Sequence, residues 1–196
     1  MPGRRTKFEE KETAPMRVIT GEARGRRLKE LSGMDTRPTT DKVKESMFNI
    51  VQFDIEGRKV LDLFAGTGQL GIEALSRGAE SAVFVDVRKD AAALIRENLA
   101  HCGFAGRARV VQGDYLAFLT GCREKFDLVF LDPPYASGFL EKALETIAAI
   151  DIVSENGIIV CESAQETVLP ELPAPYAVER EYRYGKIKLT TCRRTV

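Results

Sequence analysis

Apolar residues along the chain follow two alternating spacings. Short continuous apolar runs, typical of buried strands, fall near residues 59–63, 81–86, 107–112, 126–131 and 157–162. Between them, apolar residues recur every three or four positions, which predicts helices near residues 69–77, 88–102 and 137–149, with further helices beginning at Asp41 and Tyr115. Strands that alternate with helices predict a parallel sheet joined by helical crossovers.

Both ends of the chain depart from this alternation. Tyr176–Tyr184 and Lys186–Cys192 are strand-like segments separated by Gly185, which indicates an antiparallel hairpin. Near the other end, residues 16–36 are predicted to form a small β-hairpin extension. The predicted organisation is a flexible polar prefix at residues 1–15, the extension at residues 16–36 and a single domain at residues 37–196.

The composition limits the class of protein. With 196 residues, 44% of them hydrophobic, the chain can bury one α/β core but not two. No apolar run reaches membrane-spanning length and no secretory signal is visible, so we expect a cytoplasmic protein. The four cysteines are scattered and there is one histidine, which argues against a metal site. We expect a monomer that binds no metal.

The zero net charge conceals an uneven distribution. Residues 16–44 carry eight Lys or Arg against four Asp or Glu, and residues 180–196 carry six against one, whereas residues 45–179 carry eleven against twenty-one. A polyanion such as RNA would therefore meet the two basic ends first. The densest basic cluster consists of Arg24, Arg26 and Arg27. These arginines either contact phosphates or form a solvated surface.

The most specific motif follows the run at 126–131 and reads Asp132-Pro133-Pro134-Tyr135. An exocyclic amine is a weak nucleophile because its lone pair is delocalised. The Asp132 carboxylate and the Pro133 carbonyl can each accept one N–H of such an amine, and the Tyr135 ring can stack on a flipped base. A turn that only ends a strand is the alternative. The full tetrapeptide favours methylation of a planar amino nitrogen, with Asp132, Pro133 and Tyr135 as catalytic residues and Pro134 beside the substrate.

A glycine-rich loop follows the run at 59–63. Gly66, Gly68 and Gly71 match the dinucleotide-binding spacing, and the helix after them offers backbone N–H groups to a ligand. Asp62 lies inside the strand end, where it would repel a pyrophosphate and attract a sulfonium and an ammonium group. This acid therefore favours S-adenosylmethionine over NAD as the cofactor.

Two further acids follow the next two predicted strands. Asp86 lies twenty residues after Gly66, where it can accept both ribose hydroxyls of an adenosine cofactor, whether NAD or S-adenosylmethionine. Asp114 follows the run at 107–112 and can receive an adenine amino group, cap the helix that begins at Tyr115, or do both.

These motifs, taken in chain order, resemble those of the class I S-adenosylmethionine-dependent methyltransferases. Residues 17–28 and 37–50 narrow the resemblance to the RsmD family, over about residues 16–192. Enzymes of that family methylate the exocyclic N2 of one guanine in the 16S ribosomal RNA. The resemblance implies a Rossmann-like, seven-stranded sheet that is mostly parallel, with the antiparallel C-terminal hairpin at one edge and the small N-terminal β extension contacting RNA.

The resemblance also assigns roles to the candidate residues. It implies that the S-adenosylmethionine site is lined by Asp62, Gly66, Gly68, Asp86 and Asp114. It implies that Asp132, Pro133 and Tyr135 hold the guanine, and that the partner is ribosomal RNA or an assembling small ribosomal subunit.

Other functions use some of the same features. Adenine-N6 methylation of DNA and glutamine methylation of proteins use similar tetrapeptides, although the latter more often has Asn in place of Asp132. An NAD-dependent oxidoreductase would explain the glycine loop and leave Asp62 and the tetrapeptide unexplained. A non-catalytic RNA-binding protein would explain only the basic ends.

Overall fold

The computed structural model describes residues 15–31, 41–135 and 137–195. The elements in chain order are α1 (Asp41–Ile50), β1 (Lys59–Asp62), α2 (Gln69–Ser76), β2 (Ser81–Asp86), α3 (Lys89–Cys102), a 3₁₀ turn (Ala105–Arg107), β3 (Ala108–Gln112), α4 (Tyr115–Gly121), β4 (Phe126–Leu131), α5 (Phe139–Ile150), β5 (Val153–Ala164), β6 (Tyr176–Tyr184) and β7 (Ile187–Arg194). The predicted helices and strands are confirmed.

Strand β5 begins earlier than its apolar run indicates. The pairing with β4 starts at Val153, breaks, and resumes at Ile158. Asn156 has a positive φ of 61° within the break, and polar residues there interrupt the apolar pattern. A bulge of this kind lengthens a strand beyond the part that the hydrophobic pattern reveals.

The seven strands form one sheet in the order β3-β2-β1-β4-β5-β7-β6. Strands β1 to β5 pair in parallel, and β7 pairs antiparallel with both β5 and β6. This confirms the mostly parallel sheet with an antiparallel C-terminal hairpin. The strand order reverses between β1 and β4, where a crevice forms beyond the carboxyl ends of the strands.

Helices cover both faces of the sheet. One core contains side chains from α1, α2 and α3, among them Met47, Leu75 and Ile95. The second core contains side chains from α4 and α5, among them Leu119 and Ile147. Because the central strands are buried on both faces, their sequences are continuous apolar runs instead of alternating ones.

The N-terminal segment pairs with itself as a minimal hairpin: the Val18 N–H donates to the Arg26 carbonyl and the Leu28 N–H donates to the Met16 carbonyl, both at 2.9 Å. Residues 15–31 contain a single antiparallel bridge, between Arg17 and Arg27, and no regular strand. The N–H groups of Ile19 and Thr20 donate to the Glu73 carboxylate, at 2.7 and 3.0 Å, instead of to a second strand. Residues 1–14 and 32–36 of the predicted prefix and extension lie outside the described residues.

Buried polar side chains attach this segment to three helices. Glu73 and Lys44 are completely buried. The Lys44 ammonium donates to the Arg17 carbonyl at 2.7 Å, and burial lowers the pKa of Lys44 while the negative charge of Glu73 opposes this shift. Asn98 of α3 donates to the Lys29 carbonyl and accepts from the Lys29 N–H. The segment is therefore part of the folded domain.

Among the described residues, every helix is too short or too polar to cross a lipid bilayer.

Gly71→Ala should destabilise the protein by about 1–3 kcal/mol because a Cβ there would lie 2.3 Å from the Phe84 ring. Gly121→Ala is the matched control: Gly121 ends α4 and an added Cβ would meet nothing within 4 Å. Urea unfolding of both variants measures the difference between their free energies of unfolding. Equal midpoints for the two variants would contradict the packing argument.

Candidate active site

The candidate site lies where β1 and β4 end side by side. Asp62, the last residue of β1, is in register with Phe130, so the glycine loop after β1 and the turn after β4 emerge at the same edge. Asp86 and Asp114 follow the neighbouring strands at that edge. The structure therefore brings Asp62, Asp86, Asp114 and the tetrapeptide to one edge of the sheet.

The glycine loop turns sharply into α2. Gly66 and Gly68 have φ values of 53° and 80°, which glycine adopts without steric cost. The Gly68 N–H donates to the Ala65 carbonyl at 2.6 Å. A Cβ on Gly66 would meet nothing within 4 Å, so open space adjoins the loop at this position. A ligand can therefore approach the backbone closely.

Asp86 holds this loop in place. One carboxylate oxygen accepts from the Gly66 N–H at 2.9 Å, and the other accepts from the Arg88 N–H at 2.9 Å. The acid at the end of β2 thus links the glycine loop to the start of α3. The residue is half-buried.

Asp62 lies beneath the loop and is 1% exposed. Its Oδ2 accepts from the Gly71 N–H of α2 at 3.0 Å. The pKa of Asp62 is raised from an ordinary value of 3.8 to about 7. Burial is the main cause, the Gly71 hydrogen bond opposes it, and the nearby Asp86 charge adds to it. A cationic ligand group nearby would favour the charged form of Asp62.

Asp114 caps α4. Its Oδ1 accepts from the Ala117 N–H at 3.0 Å, which confirms the predicted capping role. The side chain is exposed at the site edge. This hydrogen bond leaves acceptor capacity on the carboxylate for a second partner.

The turn after β4 combines buried and exposed residues. Asp132 is half-buried and Pro133 is buried, whereas Pro134 and Tyr135 are exposed. The Tyr135 hydroxyl donates to Glu162 Oε1 at 2.8 Å, which fixes a ring that is 43% exposed. The Ser137 hydroxyl donates to the Pro134 carbonyl at 2.6 Å. The turn therefore presents an accessible aromatic face from an anchored position.

The structure also reveals an aromatic cluster at this edge that the motifs did not include. The ring of Tyr115 lies 4.9 Å from that of Phe64 and 5.3 Å from that of Phe139. The Phe64 and Phe139 rings are parallel at 6.3 Å. Phe64 precedes the glycine loop and Tyr115 follows Asp114. The sequence signal that could have revealed this cluster was the presence of aromatic residues next to these motifs.

Glu162 is the second residue that the motifs did not include. It lies near the end of β5, is 4% exposed and binds Tyr135. An acid at the end of a buried apolar run is the same signal that identified Asp86.

The three arginines of the basic cluster lie elsewhere. The Glu22 N–H donates to the carbonyl of Ser76, the last residue of α2, and the Arg26 guanidinium donates to the carbonyl of His101, in the last turn of α3. These helix ends are opposite the end at which α2 meets the glycine loop. All three arginines are exposed, and the Arg26 guanidinium also makes a structural contact. The structure does not bring the cluster together with the candidate site.

In residues 15–31, 41–135 and 137–195, no three His, Cys, Asp or Glu side chains are grouped in a way that could hold a metal ion.

Comparisons with known proteins agree with this geometry. Residues 16–193 match the family model described as "Conserved hypothetical protein 95". The protein YlbH of Bacillus subtilis (strain 168) is 42% identical over 173 residues, which are 87% of this chain and 94% of YlbH. "Ribosomal RNA small subunit methyltransferase D" of Escherichia coli (strain K12) is 36% identical over 88% of this chain and 86% of its own. The solved structure of yhhF from Escherichia coli superposes with a TM-score of 0.84 at 35% identity, covering 93% of this chain and 99% of that one.

The raised pKa of Asp62 predicts a pH dependence of stability. The folded state holds the Asp62 proton more tightly than the unfolded chain, so the unfolding free energy should fall as pH rises from about 4 to about 7. Asp62→Asn keeps an acceptor for the Gly71 N–H and should remove this loss, which is on the order of a few kcal/mol.

Urea unfolding at pH 4.5 and 7.5 compares the variant with wild type. Asp54→Asn, at a partly exposed carboxylate, is the control. A wild-type pH dependence that survives in Asp62→Asn would contradict the prediction.

Proposed function

The chain belongs to the "Conserved hypothetical protein 95" family, and from this premise we propose that it transfers a methyl group from S-adenosylmethionine to the exocyclic N2 amine of a guanine in small-subunit ribosomal RNA. The observation that carries the proposal is the anchored turn Asp132–Tyr135 next to the glycine loop at the β1–β4 crevice. The Escherichia coli relative is named a ribosomal RNA small subunit methyltransferase, which supports the same substrate class for this chain.

S-adenosylmethionine fits the residues at this edge. Asp86 already binds two backbone N–H groups, and a carboxylate has about four acceptor positions, so it can also accept from ribose hydroxyls. The open space beside Gly66 gives the cofactor access to the loop. Phe64 and Tyr115 provide an apolar wall for the adenine, next to Asp114. Asp62 provides negative charge beneath the loop for the cationic part of the cofactor.

The turn after β4 prepares the amine for attack. Asp132 accepts one N–H of the guanine amino group and the Pro133 carbonyl accepts the other. This arrangement localises the nitrogen lone pair and directs it toward the cofactor. Tyr135 stacks on the base, and its hydroxyl bond to Glu162 holds the ring in place. Since the amine is itself the nucleophile, no covalent bond to the protein is needed.

When bound, S-adenosylmethionine supplies a methyl group that is electrophilic because its sulfur carries a positive charge. The nitrogen–carbon bond forms as the sulfur–carbon bond breaks, and the electron pair of the broken bond stays on sulfur. The nitrogen then carries one proton too many. Asp132 can accept that proton, and water can as well, because the methylated nitrogen is acidic.

The two basic ends supply attraction for the RNA. We assign the phosphate contacts to exposed Arg24 and Arg27 and to the C-terminal hairpin, at a distance from the reacting base. Arg26 contributes charge while its guanidinium holds α3. The acidic middle of the chain suits docking through the edges. The substrate is either free ribosomal RNA or an assembling small subunit.

Asp132→Ala should lower turnover by at least about 100-fold, because most of the rate comes from positioning the amine. Affinity for S-adenosylhomocysteine should stay near the wild-type value, since Asp132 faces the base and not the cofactor. Single-turnover kinetics and calorimetry measure the two quantities, with Asp54→Ala as the control. Wild-type turnover in Asp132→Ala would refute the assignment of the turn.

The target is tested with radiolabelled S-adenosylmethionine and three substrates: small ribosomal subunits from cells that lack the corresponding methyltransferase, naked small-subunit ribosomal RNA, and duplex DNA. Label on guanine N2 at one position is the expected result, identified by nuclease digestion and mass spectrometry. Label only on adenine in DNA would replace the proposed target with adenine N6. A calorimetric response to NAD and none to S-adenosylhomocysteine would replace methyl transfer with redox chemistry.

A further inference from the structure

A second carboxylate lies next to the proposed amine site. β4 and β5 pair in parallel, and their last paired residues are Leu131 and Cys161. The next residues along the two strands are Asp132 and Glu162. Because neighbouring strands lie about 4.8 Å apart, the two acids occupy adjacent positions at the edge where the base would enter.

The acid at the end of β5 faces a small cavity. The cavity has a volume of about 80 Å³. It lies between the turn after β4, the start of α5 and the end of β5, and its lining includes Pro133, Tyr135, Glu162, Ser163 and Thr167. A base stacked on Tyr135 could place one edge in this cavity.

A buried carboxylate in this lining has hydrogen-bonding capacity for such an edge. Glu162 is 4% exposed and accepts the Tyr135 hydroxyl on Oε1, and a carboxylate can accept further hydrogen bonds. Its neighbour Ser163 lies on the opposite face of the strand, because successive side chains of a strand alternate between the two faces. Glu162 is therefore the β5 side chain placed to meet the base.

The Watson–Crick edge of guanine carries three groups in a row: the N2 amine, the N1–H donor and the O6 acceptor. Asp132 and Glu162, at adjacent positions on two paired strands, offer acceptors to the first two of these groups. We propose that Glu162 accepts the guanine N1–H, so that Glu162 determines the choice of guanine. This inference rests on the proposed function.

The arrangement rejects adenine on electrostatic grounds. Adenine presents a lone pair at N1, and a lone pair opposite the Glu162 carboxylate would leave a buried acceptor facing another acceptor. Sites built to bind a donor discriminate strongly against analogues that lack it, because the buried partner is left unsatisfied. The tetrapeptide alone binds any planar amine, so Glu162 supplies the selectivity that the tetrapeptide lacks.

The test replaces the target guanine with 2,6-diaminopurine in ribosomal RNA assembled by ligation. This base keeps the N2 amine but has an acceptor at N1. Wild-type enzyme should methylate guanine with a kcat/KM at least about 10-fold higher than that for diaminopurine. Glu162→Gln can donate its amide N–H to the diaminopurine N1, so it should reduce that ratio by about 10-fold or reverse it.

Two further variants separate recognition from structure. Tyr135→Phe removes the hydroxyl that Glu162 holds and should lower both rates while leaving the guanine preference at its wild-type value. Glu166→Gln makes the same chemical change at an exposed residue outside the cavity lining and should change neither rate nor preference.

The outcomes distinguish this inference from the proposed function. If Glu162→Gln keeps the wild-type preference, or if Tyr135→Phe changes the preference as Glu162→Gln does, the role of Glu162 in base choice is overturned while guanine methylation stands. If wild-type enzyme does not methylate guanine N2, the proposed function has failed first.

Discussion

The parallel pairing of β1 with β4 is the contact on which the rest of the site depends. The chain builds β1, moves outward through β2 and β3, and returns to the other side of β1 with β4. Both loops that carry chemistry therefore leave the sheet at its carboxyl edge, on either side of one crevice. Asp62 and Phe130 are in register and share one face of the sheet. A slip of one residue in this pairing would place their side chains on different faces. Burial on both faces prevents such a slip.

Acids at the ends of strands perform different tasks because their surroundings differ. Asp62 is buried and has a raised pKa, whereas Asp86 binds backbone N–H groups and organises the glycine loop. Asp114 caps a helix, and Glu162 anchors Tyr135. All four use the geometry of a parallel sheet, in which every strand end points to the same side. The environment of each carboxylate then decides whether it supports the loop, attracts positive charge or binds a donor.

Buried polar groups give the N-terminal segment its position. Glu73, Lys44 and Asn98 bind backbone groups of residues 15–31 and belong to three different helices. Burying such groups is costly unless each finds a partner, so they bind this segment in one arrangement only. The arginines at its turn are consequently held at the far ends of α2 and α3. This places the basic charge away from the crevice.

The sequence by itself determined the helices, the strands, the parallel direction of the central strands and the motif residues at the strand ends. These features are local, because apolar runs, glycine turns and contiguous motifs are visible in a short window of residues. The bridge-only form of the N-terminal segment, the aromatic cluster of Phe64, Tyr115 and Phe139, and the contact of Tyr135 with Glu162 were decided by the tertiary structure. Each of these features depends on contacts between residues that are distant in the chain. Packing selects the partner of a buried backbone or side-chain group, so a local sequence pattern does not reveal that partner.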